Sequence, residues 1–321
     1  MKEDFYLYLP NETEQVIKNK LIQKKSYDKT WQYIAKSLSS DWREFPNLAL
    51  LLEKFIPHTR IGKEKSENKS KVLFAISEFS QKEKDKLVKL LNIYKECIDQ
   101  KLKFLKKIGY LTENIPFITE SRLIVGLGSA SILETSITLH RIYGFPYIPG
   151  SAVKGVIRHY AIWKLANGID EEEPNKKIKE IDKVLSKGGK PNNWSNWDIK
   201  LQEMFYKLQI IFGSEKTKGA VIFFDVLPLG FPKLEVDIMN PHYSEYYQGD
   251  FPPTDYLTPN PIPFLTVAPN QRFIFPLAID LKMIGNFKAK ELLEDIGNFL
   301  KQALKNFGIG AKTSIGYGYF I

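Results

Sequence analysis

The sequence predicts an α+β fold, an antiparallel sheet with helices against one face. Three observations predict it. From about residue 116 the patterns run strand, helix, strand, strand, helix, strand once polar insertions are set aside. Gly219–Leu229 (GAVIFFDVLPL) is apolar almost throughout and reads as a buried strand. Lys233–Met239 (KLEVDIM) alternates, as a strand with one wet face does.

The elements follow in order. Residues 1–115 read as helices joined by polar turns, a helical N-terminal extension to a domain spanning 116–321. Lys82–Lys107 has the clearest helical period, with Leu87, Leu90, Leu91, Tyr94, Ile98, Leu102 and Leu105 at three- and four-residue steps. Gly62–Lys71 is charged and short of apolar residues, which predicts a loop. Phe117–Val125 reads as a strand, Ser136–His140 as a short strand or hairpin arm, and Tyr143–Gly150 (YGFPYIPG) as a turn. A helix is expected over about Ser151–Leu165, with Val153, Val156, Ile157, Tyr160 and Ala161 on one stripe. Residues 167–198 are polar and read as a surface insertion. A further amphipathic helix covers about Lys200–Phe212, and Asn240–Pro263 reads as an ordered loop rich in Pro, Tyr and Asp. Gln271–Leu281 is a strand whose Pro276 suggests an edge or a bulge. A helix over about Lys288–Asn306, a glycine-rich loop and a short strand to Ile321 complete the order. This is the split βαβ arrangement of ferredoxin-like domains, also the layout of RNA-recognition (RRM-like) domains, in which one sheet face stays available for a ligand.

The totals bound the function. With 321 residues, 43% hydrophobic and 13% aromatic, the chain can bury a sizeable core, which excludes disorder along its whole length. A formal net charge of +9 favours a polyanionic partner, although a basic surface serving only solubility has the same totals. The single cysteine, Cys97, excludes a disulfide framework within the chain and a thiolate zinc site, and it fits a reducing, cytoplasmic location. The start, Met1-Lys2-Glu3-Asp4, has no apolar run of signal-peptide type, and no stretch nears the ~18 apolar residues of a membrane helix, so no membrane partner is expected.

Gly308–Gly318 (GIGAKTSIGYG) holds four glycines in eleven residues. A dinucleotide fingerprint would follow a strand and open a helix, whereas this loop follows a helix and leads into a strand. A Walker A loop would need glycines where Asn306 and Ala311 stand before Lys312-Thr313. What remains is a loop whose backbone can approach something closely, with Lys312 adding charge and Ser314 a donor. Gly308 can also serve simply as a helix C-cap, which leaves Gly310, Gly316 and Gly318 to explain.

The second candidate is the helix start at Pro149-Gly150-Ser151, with Ser151 as the expected N-cap. Lys154 sits where a capping box would have Glu or Gln, and a cation in the first turn opposes the helix dipole. An anion at that helix end would remove the conflict. Arg158 lies one turn on, on the same side. Gly155 costs roughly 1 kcal/mol against alanine, a cost that makes sense if another backbone passes close by. Solvated charges and a packing glycine are the plain alternative.

These two segments, Pro146–Arg158 (PYIPGSAVKGVIR) and Gly308–Gly318, resemble the hallmarks of the RAMP superfamily of CRISPR-associated proteins. A third segment, Leu234–Tyr243 (LEVDIMNPHY) with Tyr246-Tyr247 and Pro259–Leu265 (PNPIPFL), resembles the sixth-subunit family of type III-B (Cmr) effectors. The resemblance covers about residues 116–321. It implies a ferredoxin-like, RNA-binding, non-catalytic subunit that caps a helical ribonucleoprotein near the 3′ part of the guide RNA, in antiviral defence. The implied partners are guide RNA, target RNA and other RAMP subunits, and the chain is not expected to be a stand-alone homo-oligomer. The residues expected to contact RNA are Ser151, Lys154, Gly155, Arg158, Gly308, Gly310, Lys312, Thr313, Ser314, Gly316 and Gly318, with His140 and Arg141. Tyr243, Tyr246 and Tyr247 are expected at a protein interface, where tyrosine is enriched, although they can also stack on bases.

No catalytic residue, metal or cofactor is expected. Metal-independent RNA cleavage needs a histidine as general acid or base with a second group beside it. Of His58, His140, His159 and His242, the candidates are His140, followed by Arg141, and His159, and no motif pairs His159 with a second group. A guide-processing RAMP-type endoribonuclease is the alternative reading. Asp225, Glu235, Asp237, Asp250 and Asp255 match the spacing of no metal loop.

Overall fold

The structure is a computed structural model that describes residues 5–7, 47–49, 52, 57–59, 65–129, 131, 133, 135–169, 173–192, 194–240 and 261–321. It is a mixed α+β chain with antiparallel sheets, and it divides into two compact units made of interleaved segments. One unit comprises Met1–Tyr94, Ile124–Pro146 and Gly230–Ala268, and the other Lys95–Leu123, Tyr147–Leu229 and Pro269–Ile321. Among the described residues no helix is long and apolar enough to cross a membrane.

The first unit contains two small ribbons. Strand β1 (Phe5–Leu7) pairs antiparallel with β2 (Pro57–Thr59). Helix α1 (Lys65–Lys82) takes in residues 65–71 of the charged stretch expected to be a loop. Lysine and glutamate are good helix formers, and buried Leu73 and Ile76 further along anchor the helix, so a charged first turn does not stop it. Helix α2 spans Lys84–Lys107 and begins in this unit. The second ribbon pairs β6 (Leu234–Met239) with β7 (Ile262–Val267), and Ser77 Oγ on α1 donates to Leu234 O at 2.6 Å. Strand β7 (IPFLTV) starts within the stretch read as loop, where Pro261 just before it and Pro263 within it hid an almost fully buried strand.

The second unit holds the main sheet. Strand β3 is Tyr110–Ile118, so it begins ahead of the expected Phe117 and ends well before Val125. Gly109 (φ 99°) lets the chain leave α2, and Pro116 fits because β3 pairs β8 along only one side there. Strand β8 (Arg272–Asp280) is central: β3 flanks it along nine residues, and β4 (Val221–Phe223) and β5 (Leu227–Pro228) share its other side. Pro276 therefore marks a central strand, not an edge. It lies opposite the break between β4 and β5, where Phe224 N donates to Pro276 O at 3.1 Å, so the expected bulge sits on the neighbouring strand. At the outer side of β3, Ile118 and Ile321 exchange backbone hydrogen bonds of 3.0 and 2.9 Å, and Thr119 bridges Phe320.

Helices α3 (Gly150–Ile169), α4 (Pro174–Lys187), α5 (Ile199–Phe212) and α6 (Ala289–Asn306) belong to this unit. Alternate residues Phe273, Phe275, Leu277 and Ile279 of β8 are buried, as are Ile157 and Ala161 of α3 and Ile296, Leu300 and Leu304 of α6. Phe273 and Phe275 meet Phe320 edge-on at 6.0 and 5.6 Å. Each such ring contributes about 1.5–3 kcal/mol by burial. In the polar stretch read as an insertion, α4 buries Ile181 and Leu185 completely and packs beside α3.

Candidate nucleic-acid interface

The α3 start is built from its own neighbours. Gly150 N donates to Asp225 Oδ1 at 2.8 Å, so the anion at this helix end is a carboxylate from the β4–β5 connection. Ser151, expected as the N-cap, is instead the second residue of the helix and exposed. A Cβ on Gly150 would collide with Phe223 O, so the glycine that admits a passing backbone is Gly150. The space beside Gly155, expected to hold that backbone, is open: a Cβ there would meet nothing within 4 Å.

Lys154 and Arg158 are both engaged within the unit. Lys154 Nζ donates to Phe212 O at 2.9 Å, placing its charge on the last carbonyls of α5, where a helix dipole favours a cation. Burial pushes its pKa below the ordinary lysine value, and the Arg158 charge adds to this. Arg158 reaches α4, where it pairs with the Asp182 carboxylate and donates to Asp182 O at 3.2 Å and Ser186 Oγ at 3.0 Å. Tyr147, just ahead of the helix, has its pKa raised by burial and then by the Asp225 charge.

The glycine-rich loop is closed by backbone bonds. Gly308 (φ 67°) terminates α6 with its N–H on Ala303 O at 3.1 Å. Ile309 N donates to Gly318 O at 2.9 Å, Gly318 N to Arg122 O at 2.7 Å, and Tyr317 N to Lys312 O at 3.2 Å. Tyr319 OH donates to Thr313 O at 3.1 Å, and Tyr319 N to Ser121 Oγ at 3.1 Å. Gly318 (φ 78°) allows this closure because a Cβ there would collide with Ile309 O. The close approach predicted for the loop is thus made to the chain itself. Lys312 is a non-glycine residue in the left-handed region (φ 63°) and starts a 3₁₀ turn, Thr313–Ile315. That turn presents Ser314, Ile315 (64% exposed) and Gly316 to solvent, while Lys312 and Thr313 are half-buried. Gly310 is exposed as well.

Phe307, at the root of the loop, brings loop and helix together: its ring lies 5.2 Å from His159 and 5.6 Å from Tyr160 of α3. Sequence reasoning missed Phe307, although an aromatic at the end of an amphipathic helix just before a glycine is visible in the chain.

His140 and Arg141 belong to the other unit. His140 Nδ1 accepts from Ile142 N and Tyr143 N, both at 3.3 Å, and its ring stacks on Phe145 at 5.0 Å. Asn47 Nδ2 holds the same turn through Arg141 O at 2.9 Å and Ile142 O at 2.8 Å. Tyr243, Tyr246 and Tyr247 lie outside the described residues. Among the described residues no three His, Cys, Asp or Glu side chains gather as a metal site, and Glu235 pairs with Lys233 at 2.8 Å.

The chain is similar to known proteins. The family profile of the RAMP superfamily matches residues 116–321. The CRISPR system Cmr subunit Cmr6 of Pyrococcus furiosus is 38% identical over 261 residues, covering 73% of this chain and 74% of that protein. Its counterpart in Saccharolobus solfataricus is 24% identical over 236 residues, covering 70% of this chain and 63% of that protein. Among solved structures, a chain of the type III-B Cmr-beta complex bound to cognate target RNA has the same fold, with a TM-score of 0.52 at 18% identity over 95% of this chain and 93% of that one. By class this is an α+β protein with antiparallel sheets. The chain belongs to the RAMP superfamily and, within it, to the Cmr6 subunits of CRISPR Cmr systems.

Proposed function

We propose that this chain is a non-catalytic, RNA-binding structural subunit of a type III-B CRISPR effector ribonucleoprotein, capping one end and contacting guide RNA, or the guide–target duplex, near the 3′ part of the guide. The observation that carries the reading is the likeness to the Cmr6 subunit over most of both chains. The solved relative whose fold matches is described as bound to cognate target RNA, which supports RNA and sister subunits as partners. The sheet supports a ferredoxin-like reading: β3, the first strand of this sheet, sits between the chain end and β8, with β4 and β5 beyond, which is the spatial order four, one, three, two.

Within the site, the RNA contacts centre on the loop tip, Lys312, Thr313, Ser314 and Gly316, and on the exposed Ser151 and Gly155 of α3. Lys154 and Arg158 serve the fold first, because their head groups are held by Phe212, Asp182 and Ser186. At His140, Nδ1 accepts from two backbone N–H groups of its own turn, which leaves Nε2 as its remaining ring nitrogen.

Native affinity purification of the full chain, with sequencing of the RNA that accompanies it, tests the reading. Several Cmr-type partner proteins and a discrete class of short, repeat-derived RNA are expected. Recovery of the chain alone, or with heterogeneous RNA, would overturn it. Lys312→Ala should lower the salt slope of single-strand binding by about 0.7.

A further inference from the structure

One edge of α3 stays largely open to solvent. Ser151, Gly155, His159 and Trp163 follow at four-residue steps and so line a single edge of the helix. Ser151, Gly155 and His159 are exposed, and Trp163 keeps 38% of its surface in solvent. No side chain fills the position beside Gly155. At the far end, the half-buried Phe307 ring supports both aromatics, His159 at 5.2 Å and the Trp163 indole at 5.8 Å, the latter nearly perpendicular at 81°. Tyr160, 7% exposed, lies beneath them, 5.9 Å from Trp163. The edge is therefore a notch followed by two flat rings held from below.

The two segments that carry this edge hold cations and no carboxylate of their own, although Asp182 and Asp225 reach α3 from elsewhere. Neither α3 (GSAVKGVIRHYAIWKLANGI) nor the chain from Ile296 to Ile321 contains an Asp or Glu, while the same segments carry Lys154, Arg158, Lys164, Lys301, Lys305 and Lys312. Partly exposed rings, on segments where cations outnumber carboxylates, suit a ligand that has flat π faces and a negative backbone. An unpaired nucleotide has both, and base stacking on an aromatic is worth about 1–3 kcal/mol, which is about 5- to 150-fold in affinity.

We propose that His159 and Trp163 form a stacking site for an unpaired nucleobase of bound RNA, with the space at Gly155 admitting the adjoining sugar–phosphate. Tyr160 and Phe307 are positioning residues beneath the platform. The proposal rests on the RNA-binding reading above and adds a residue-level site to it.

The test measures binding of the full chain to a labelled mixed-sequence 12-nucleotide single-stranded RNA and to the same strand with abasic positions. Trp163→Leu is expected to weaken binding to the intact strand by about 5- to 150-fold with an unchanged salt slope, because no cation is lost. His159→Ala should act in the same direction, Trp163→Phe should restore most of the affinity, and on the abasic strand wild type and Trp163→Leu should bind alike. Matching thermal melts show that the variants fold. If wild type binds but Trp163→Leu stays within twofold, or loses equally on both strands, the platform is overturned and the RNA-binding reading stands. Loss of co-purifying proteins with RNA affinity retained overturns it in favour of a protein contact. Absence of RNA binding by wild type overturns both.

Discussion

The start of α3 and the C-terminal loop carry similar sequence signals, glycines beside a lysine and a hydroxyl, yet the fold treats them differently. At α3 the polar groups are satisfied internally: Asp225 caps Gly150, Phe212 O takes Lys154, and Asp182 with Ser186 takes Arg158. At the loop, backbone bonds hold a rigid frame, and a short turn carrying Ser314, Ile315 and Gly316 is pushed into solvent. The first segment is a joint between helices and sheet, and the second is a presenting surface. A cation in a helix first turn is ambiguous for this reason: the anion or carbonyl that answers it can come from a ligand or from a distant part of the same chain.

The comparison can be broken most severely at Gly318. Gly318→Ala should destabilise the protein by about 3 kcal/mol, since a left-handed non-glycine residue and a collision with Ile309 O add together, whereas Gly316→Ala, with open space around it, should cost about 1 kcal/mol. Urea unfolding midpoints read both, and equal losses would mean the frame is not what Gly318 protects. Next in size is Asp225→Ala, which removes the helix-end anion and should cost about 1–2 kcal/mol by the same measurement. An unchanged midpoint would return the α3 terminus to the list of vacant anion sites.

A smaller effect of opposite sign is expected at Gly155. Gly155→Ala should stabilise the free protein by about 0.4–1 kcal/mol, because alanine fits the helix and nothing crowds the site, while weakening RNA binding. A gain in stability with no loss of affinity would make the glycine incidental. The smallest effect is the pH dependence of Lys154. Its folded pKa lies below the ordinary 10.5, so between that lowered value and 10.5 the unfolded chain binds the proton more readily. Stability relative to a Lys154→Met variant should therefore rise with pH across that window and stay level below it. Paired denaturation curves at neutral and alkaline pH check the sign.

The long periodic elements were legible because their patterns are local. Helix α2 begins two residues after the expected Lys82, and α6 one residue after the expected Lys288. Strand β8 was found within a residue at each end, but its central position was not, since Pro276 reads as an edge until the break between β4 and β5 is seen opposite it. Strand β7 was hidden by Pro261 and Pro263, and residues 110–116 of β3 by the helical pattern before them.

By itself the sequence determined the class and the family. Hydrophobic period, the glycine-rich loop and the motif across the start of α3 are all contiguous in the chain, and contiguous signals survive without a fold. Only the tertiary structure decided which charges are used up and which surfaces are left over. The partners of Lys154, Arg158 and Gly150 lie 58, 24 and 75 residues away in the chain, and Phe307 reaches His159 across 148. Pairings at such separations are set by how the elements pack, because the groups meet only after the sheet and helices have brought them together.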